Sequence, residues 1–174
     1  MANYNLDPSL TATVVNSFLL YSLKHPHCAV LDSTASITLP TTPSVYKAPT
    51  VSSYEDITYD TGTGVFTFPN TDVYHLSLLL NAQPSANNKN IYFYAEANTG
   101  AGWVIQQYSA REKTLASSSA TEQIVITTEV KYVAGTQIRF YVWGDATMYL
   151  KTTDLPGTTA GTVTLAASRI LWGK

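Results

Sequence analysis

Charge is scarce in this 174-residue sequence: Asp, Glu, Lys and Arg make up 13% of it, about half the share of an average soluble domain. Its surface must therefore be covered mainly by Thr, Ser, Asn, Gln and Tyr. That habit suits rigid β-proteins and proteins whose surface is partly hidden by neighbours. The ten basic and twelve acidic residues leave a net charge of −2 and form no Lys/Arg run. The electrostatic footprint of a phosphate binder is missing, which argues against nucleic acid as the main partner. Cysteine is as rare: Cys28 stands alone, so no disulfide forms within the chain. Stability then has to come from packing or from subunit association. No apolar run approaches the length of a membrane span, and residues 1–8 lack the positive region of a signal peptide. A soluble protein made in the cytosol, with no membrane partner, is expected. The length allows one domain with its own core and a short arm.

What is present divides near residue 34, into an N-terminal segment (1–34) and a main domain (35–174). The first segment holds one apolar cluster, Val14-Val15-Asn16-Ser17-Phe18-Leu19-Leu20-Tyr21. Asp7-Pro8 reads as a helix start and His25-Pro26 as a stop, so a helix over about 8–24 is one reading. Thr11, Thr13, Val14 and Val15 are β-branched and weaken it. An arm that stays extended until it meets a partner is the other reading.

From residue 35 onward the signals are β. Runs rich in Val, Ile, Thr, Tyr and Phe alternate with Gly, Pro, Asn and Asp clusters. The segments 36–39, 56–59, 65–68, 73–81, 90–97, 103–109, 122–132, 137–143, 148–151 and 163–171 are predicted strands. So many short strands with such punctuation predict an all-β sandwich or jelly roll. Within 73–81, alternation puts Tyr74, Leu76, Leu78 and Leu80 on the core face and His75, Ser77, Leu79 and Asn81 on the other. Several strands are apolar on both faces, leaving Leu79, Val125 or Trp143 to be covered by something else. A second copy of the chain is the economical cover.

The run Tyr59-Asp60-Thr61-Gly62-Thr63-Gly64-Val65-Phe66, continued to Val73-Tyr74, resembles a signature of the tumour-necrosis-factor/complement globular-head superfamily. Tyr59, Asp60, Thr63, Gly64, Phe66 and Tyr74 match it. Val133-Ala134-Gly135-Thr136-Gln137-Ile138 resembles the family's turn before its penultimate strand, and Ser168-Arg169-Ile170-Leu171 its final strand. The resemblance spans roughly 36–174. Asp72 stands where the family usually has Gly, and Pro69 sits earlier than the family's Pro. The resemblance implies a ten-stranded jelly roll and a homotrimer whose inner-sheet strands face both the core and the three-fold axis. On that basis His75, Leu79, Val125, Ile170 and Trp172 are the candidate trimer-interface residues. No calcium-ligand cluster or collagen-like repeat accompanies it.

The search for chemistry yields little. His25-Pro26-His27-Cys28 is a tight cluster of metal-capable residues, but it lacks a second ligand pair, and a turn ending the arm explains it more simply. Cys28 with a His, or Ser53 with His75 and Asp72, can be named as catalytic sets only on paper, because residue types do not establish geometry. Gly62-Thr63-Gly64 joins two β segments and opens no helix, so no phosphate loop is present. No catalytic residue, metal or cofactor is predicted. The twelve Tyr, five Phe and three Trp admit stacking on sugars or partner anchoring, through Tyr92, Phe93, Tyr94, Tyr141 and Trp143. Core packing and cross-strand pairing is the simpler account of these five.

The composition and the arm also resemble small structural proteins of tailed bacteriophages. Together these readings predict a non-enzymatic virion protein made in the bacterial host cytoplasm. It would be a homotrimeric capsid decoration or cement protein, or a head fibre. Val14, Val15, Phe18, Leu19 and Tyr21 would attach it to the major capsid protein or another virion protein. The alternative is the receptor- or glycan-binding tip of a phage tail or fibre, with a site near loops 87–90 or 98–102.

Overall fold

The computed structural model describes residues 26–32, 34, 36–151 and 163–169. Twelve strands occur among them: β1 (His27–Asp32), β2 (Ser36–Leu39), β3 (Thr50–Glu55), β4 (Thr58–Asp60), β5 (Val65–Thr67) and β6 (Asp72–Pro84). They continue with β7 (Lys89–Asn98), β8 (Trp103–Leu115), β9 (Glu122–Tyr132), β10 (Gln137–Gly144), β11 (Met148–Lys151) and β12 (Val163–Arg169). The architecture is an all-β sandwich of a seven-stranded and a five-stranded sheet.

Strand β6 organises the larger sheet. Its residues 74–80 pair with β12 and its last residues with β11 on the same side, while β9 runs along its other edge. The sheet extends from β12 to β1 and β3, and from β11 to β2. The smaller sheet runs β4-β5-β10-β7-β8. Beyond the end of β5, the edge of β10 is taken up by the chain before β3. There the Tyr46 N–H donates to the Phe140 carbonyl (2.8 Å) and the Gly144 N–H to the Pro40 carbonyl (3.0 Å).

Alternation decides what the sandwich encloses. Tyr74, Leu76, Leu78 and Leu80 of β6 are buried as expected, facing Ile91, Phe93, Ile138, Phe140 and Val142 of the other sheet. At one end Phe68 packs between Tyr74 (ring centroids 4.4 Å apart) and Tyr132 (5.2 Å). The signature residues before β6 act through their backbone as much as their rings. Asp60 accepts from the Gly62 N–H (2.8 Å) and the Thr63 hydroxyl (2.8 Å), closing the β4–β5 turn. Gly64 ends that turn at φ +75°, and a Cβ there would lie 2.6 Å from the Tyr46 carbonyl oxygen. Both facts favour glycine.

The structure departs from the sequence pattern at three places. The N-terminal segment does not reach residue 34 as an arm: β1 lies within it and is paired on both sides, by β12 and β3. Its inward positions are Cys28, Val30 and Asp32, and the period ends on a carboxylate where an apolar residue is expected. That carboxylate is buried against the Tyr46 hydroxyl, which donates to it at 2.6 Å, and accepts from the Thr34 N–H at 3.0 Å. The His27-Cys28 half of the presumed turn is therefore strand. Strand β3 was not predicted either, since Thr50-Val51-Ser52-Ser53-Tyr54-Glu55 is mostly exposed and has no apolar period. At Asp72, where the family usually has Gly, the backbone is not left-handed: the non-glycine residues with positive φ among those described are Asp56 and Asn88. Asp72 opens β6 in extended form, and its side chain accepts from the Val73 N–H at 2.8 Å. The apolar cluster of residues 14–21 lies outside the described residues.

Candidate functional site

The sandwich has two outer faces, and they differ in chemistry. On the seven-stranded sheet, Leu79 of β6 pairs directly with Val125 of β9, Ser77 with Thr127 and His75 with Glu129. Val125 is 56% exposed, Leu79 is half-buried, and His75 Nδ1 lies 3.8 Å from Glu129 Oε1. Three of the five residues proposed for subunit contact, His75, Leu79 and Val125, thus share one outward-facing patch. Ile170 and Trp172 lie outside the described residues, as do Val14, Val15, Phe18, Leu19 and Tyr21.

The five-stranded sheet carries rings instead. Its pairing places Tyr141 beside Tyr94 and Trp143 beside Tyr92. The rings stack, at 4.7 Å and 22° for the first pair and 5.2 Å and 18° for the second. Tyr94 also meets Trp143 edge-on at 5.6 Å. This ladder lies outside the core, and of the five aromatics singled out from the sequence only Phe93 points inward. Desolvation in the ladder, and then the neighbouring Glu96 carboxylate, raise the pKa of the Tyr94 hydroxyl. The Tyr141 hydroxyl is raised mainly by desolvation as well.

Next to the ladder, Arg139 donates from both Nε (2.9 Å) and Nη2 (2.7 Å) to Glu96 Oε2. Its guanidinium lies 4.0 Å from the centre of the Trp103 ring. Successive outward rows can be read from the register. One crosses Thr58, Thr67, Gln137, Asn98 and Trp103, and the next Asp60, Val65, Arg139, Glu96 and Ile105. Between the Asp60–Thr63 turn and Trp103 these rows leave an open cleft of about 520 Å³. Asp60 is fully exposed there, and the Thr63 and Gly62 donors hold its carboxyl below the usual carboxylate range. The sequence reading missed this set. The shared parity of Tyr92, Tyr94 and Glu96, and of Arg139, Tyr141 and Trp143, was visible. The register joining strands 43 residues apart was not.

The other candidates are kept apart by the fold. Ser53 lies on β3, separated from the His75 strand by β12 and β1, which is about 14 Å of sheet. Asp72 and His75 are three residues apart on one strand and face opposite sides. His27 and Cys28 are adjacent in β1 and likewise point oppositely, while His25 lies outside the described residues. Cys28 is buried, and desolvation pushes its thiol up to about 11, so it is protonated at neutral pH and a poor nucleophile. Among the described residues no three His, Cys, Asp or Glu side chains gather as a metal site. The two loops proposed for recognition are largely tied up internally. Asn98 Oδ1 accepts from the Gly100 and Gly102 N–H groups (2.8 and 3.1 Å), and Asn87 Oδ1 from the Ser118 N–H (2.8 Å).

No protein-family model and no curated protein matches the chain. Solved structures do. Murine APRIL superposes with a TM-score of 0.54 at 9% identity, covering 84% of this chain and 100% of that one. Eiger TNF from S. frugiperda gives 0.59 at 10% identity, with 86% and 94% covered. The globular domain of zebrafish complement 1qA gives 0.51 at 14%, with 83% and 95% covered. The chain has the tumour-necrosis-factor/complement-head jelly-roll fold. At these identities the likeness concerns the fold alone.

Proposed function

We propose that this chain is a non-catalytic virion structural protein, a homotrimer that decorates or cements a bacteriophage capsid or stands on it as a head fibre. The observation that carries the reading is the outer face of the seven-stranded sheet. There Val125 and Leu79 sit side by side with Ser77 and Thr127, on β6 and the edge strand β9, with an apolar pair directed at solvent. Such a patch is better explained by a neighbour than by water.

A ring of subunits needs two different patches that fit each other, because head-to-tail contacts close only where one surface meets another. The molecule offers a second one. Strands β8 and β9 each form a free edge of their sheet, and Ile126 and Val130 between them are only partly covered. A cleft of about 340 Å³ runs along this edge past Phe93, Arg111, Lys113 and Ile124, and borders the first patch at Val125 and Thr127. Face against edge is the contact that would close a trimer and hide both.

The low charge and the residues preceding β1 support the virion setting. Residues 1–25, with Val14, Val15, Phe18, Leu19 and Tyr21, would bind the capsid, and three copies per trimer would add avidity to a weak single contact. Full-length protein and a variant lacking residues 1–25 should be mixed with capsids of the parent phage and sedimented. The full chain is expected in the pellet and the truncated chain in the supernatant, both as trimers, the full-length one at about 57 kDa, three times 18.9 kDa, and the truncated one lighter by the mass of three arms. Equal pelleting of the two would end the attachment role.

A further inference from the structure

We propose that the cleft between the β4–β5 turn and Trp103 binds a neutral carbohydrate, an uncharged hexose-terminated glycan. The inference concerns the opposite sheet and does not rest on the trimer.

Size comes first. A cleft of about 520 Å³ falls within the range of small-ligand sites, and it is open along the surface, as the end of a chain requires.

Charge comes second. The wall holds two ionised groups of opposite sign. Arg139 is engaged by Glu96 at 2.7 Å, and Asp60, held chiefly by the Thr63 and Gly62 donors, has Lys47 in its neighbourhood. The sum over these four groups is zero, so neither a phosphate, a sulfate nor a cation gains net attraction. A neutral ligand loses nothing by that balance.

The third argument is the mixture of groups. Trp103 offers apolar ring surface whose position is held by the guanidinium stacked on it at 4.0 Å. Around it stand the Asp60 carboxylate, the Gln137 amide and the hydroxyls of Thr58 and Thr67. The Asp60 carboxylate already accepts from the Gly62 and Thr63 N–H groups and the Thr63 hydroxyl, which leaves acceptor capacity for one sugar hydroxyl, and amides and hydroxyls donate and accept in turn. Sugars present the matching surface: C–H groups on one side and paired hydroxyls at the rim. The two hydrogen bonds to Glu96 use only part of the Arg139 donor set, so donors remain for a hydroxyl oxygen.

The cleft is also built on rigid parts, so little ordering is lost on binding. Its floor is β5 and β10, and the Tyr94/Tyr141 and Tyr92/Trp143 stacks brace the adjoining face. Their rings cover one another. They make the support, and Trp103 makes the contact.

The test is a glycan microarray probed with labelled full-length protein, carrying neutral, sialylated and sulfated glycans. Trp103→Ala, Trp103→Phe and Asp60→Asn variants are run in parallel, with circular dichroism and solution mass confirming each fold. Asn keeps an oxygen acceptor for the Gly62 N–H, so Asp60→Asn is expected to fold. The expected result is binding to neutral hexose-terminated glycans. That binding falls at least about tenfold in Trp103→Ala and Asp60→Asn, a loss of about 1.4 kcal/mol each, and is partly kept in Trp103→Phe. The proposal is overturned if no neutral glycan binds, if only acidic glycans bind, or if folded Trp103→Ala and Asp60→Asn bind as wild type does.

Discussion

The two outer faces of this sandwich begin from the same rule and end differently. Each belongs to an antiparallel sheet whose inward residues make one shared core, and each leaves every second side chain outside. On the seven-stranded sheet those positions are short and mixed, with Ser77, Leu79, Val125 and Thr127 lying flat beside His75 and Glu129. On the five-stranded sheet they are Tyr92, Tyr94, Tyr141 and Trp143, which cover one another, with Arg139 clamped between Glu96 and Trp103. The first face is unfinished, because its apolar pair has no cover within the described chain. The second is closed along its aromatic ladder, and what it leaves open is a polar cleft and, on the edge strand β8, the half-exposed Ile105. Apolar residues on both sides of a strand therefore do not carry one meaning. Where the outer ones are rings they can satisfy each other, and where they are aliphatic and flat they call for a partner.

The comparison can be sharpened at several places. The largest expected effect lies where the two sheets are tied together. Tyr46 leads into the five-stranded sheet, and its hydroxyl donates to the buried Asp32 at the end of β1. Burial, with the Asp32 carboxylate beside it, raises that hydroxyl's pKa well above the ordinary tyrosine value. Tyr46→Phe should cost about 2 kcal/mol in urea unfolding, because a buried carboxylate loses its donor. A loss below about 0.5 kcal/mol would show that water replaces it.

A matched pair of truncations separates the faces. Trp143→Ala should lower the thermal midpoint by the equivalent of roughly 1–1.5 kcal/mol, the worth of its ring contacts, and leave the solution mass unchanged. Val125→Ala should leave the isolated fold within about 0.5 kcal/mol of wild type, as exposed substitutions do. It should instead raise the protein concentration at which the assembly dissociates. The comparison fails if the two variants exchange these phenotypes.

The last effect, absent at neutral pH, is a pH dependence. Cys28 ionises ordinarily near 9.0 and in the fold near about 11. Above 9.0 the unfolded chain gives up its proton first, so this contribution to stability is intact below pH 9 and lost between about pH 9 and 11. Cys28→Ala should flatten the fall in urea midpoint over that window. Tyr59, raised mainly by desolvation from 10.0 to about 12, adds a similar slope slightly higher.

Much of this architecture was legible in the sequence, for physical reasons that can be named. Strands β2, β9 and β11 begin and end where composition and turn residues place them, because they are bounded by Gly, Pro or Asn clusters or by a change of period. The core face of β6 follows from strict alternation. Strand β1 was hidden because its third inward position is Asp32, whose partner Tyr46 lies 14 residues away. Strand β3 was hidden because an edge strand that is mostly exposed has no apolar period to read. The aromatic ladder was half legible: the residues were visible, but their placement outside the core depends on which face of β7 and β10 turns inward. The cleft was not legible. Asp60, Trp103 and Arg139 meet only through the pairing of β4, β5, β10, β7 and β8, and β8 reaches that register across a shift between Phe93 and Ala95. In that shift Ser109 turns inward, and its Oγ accepts from the Ala95 N–H at 2.7 Å. No local signal marks such a bulge.

The most direct test is the solution mass, by light scattering, of two charge insertions at mirrored places on the sandwich: Leu79→Glu on the seven-stranded face and Tyr94→Glu on the five-stranded face. With wild type at about 57 kDa, three times 18.9 kDa, the account predicts that folded Leu79→Glu falls to the mass of one chain and Tyr94→Glu stays trimeric. A wild type that is monomeric at every concentration, or a Leu79→Glu variant that remains trimeric, would contradict it.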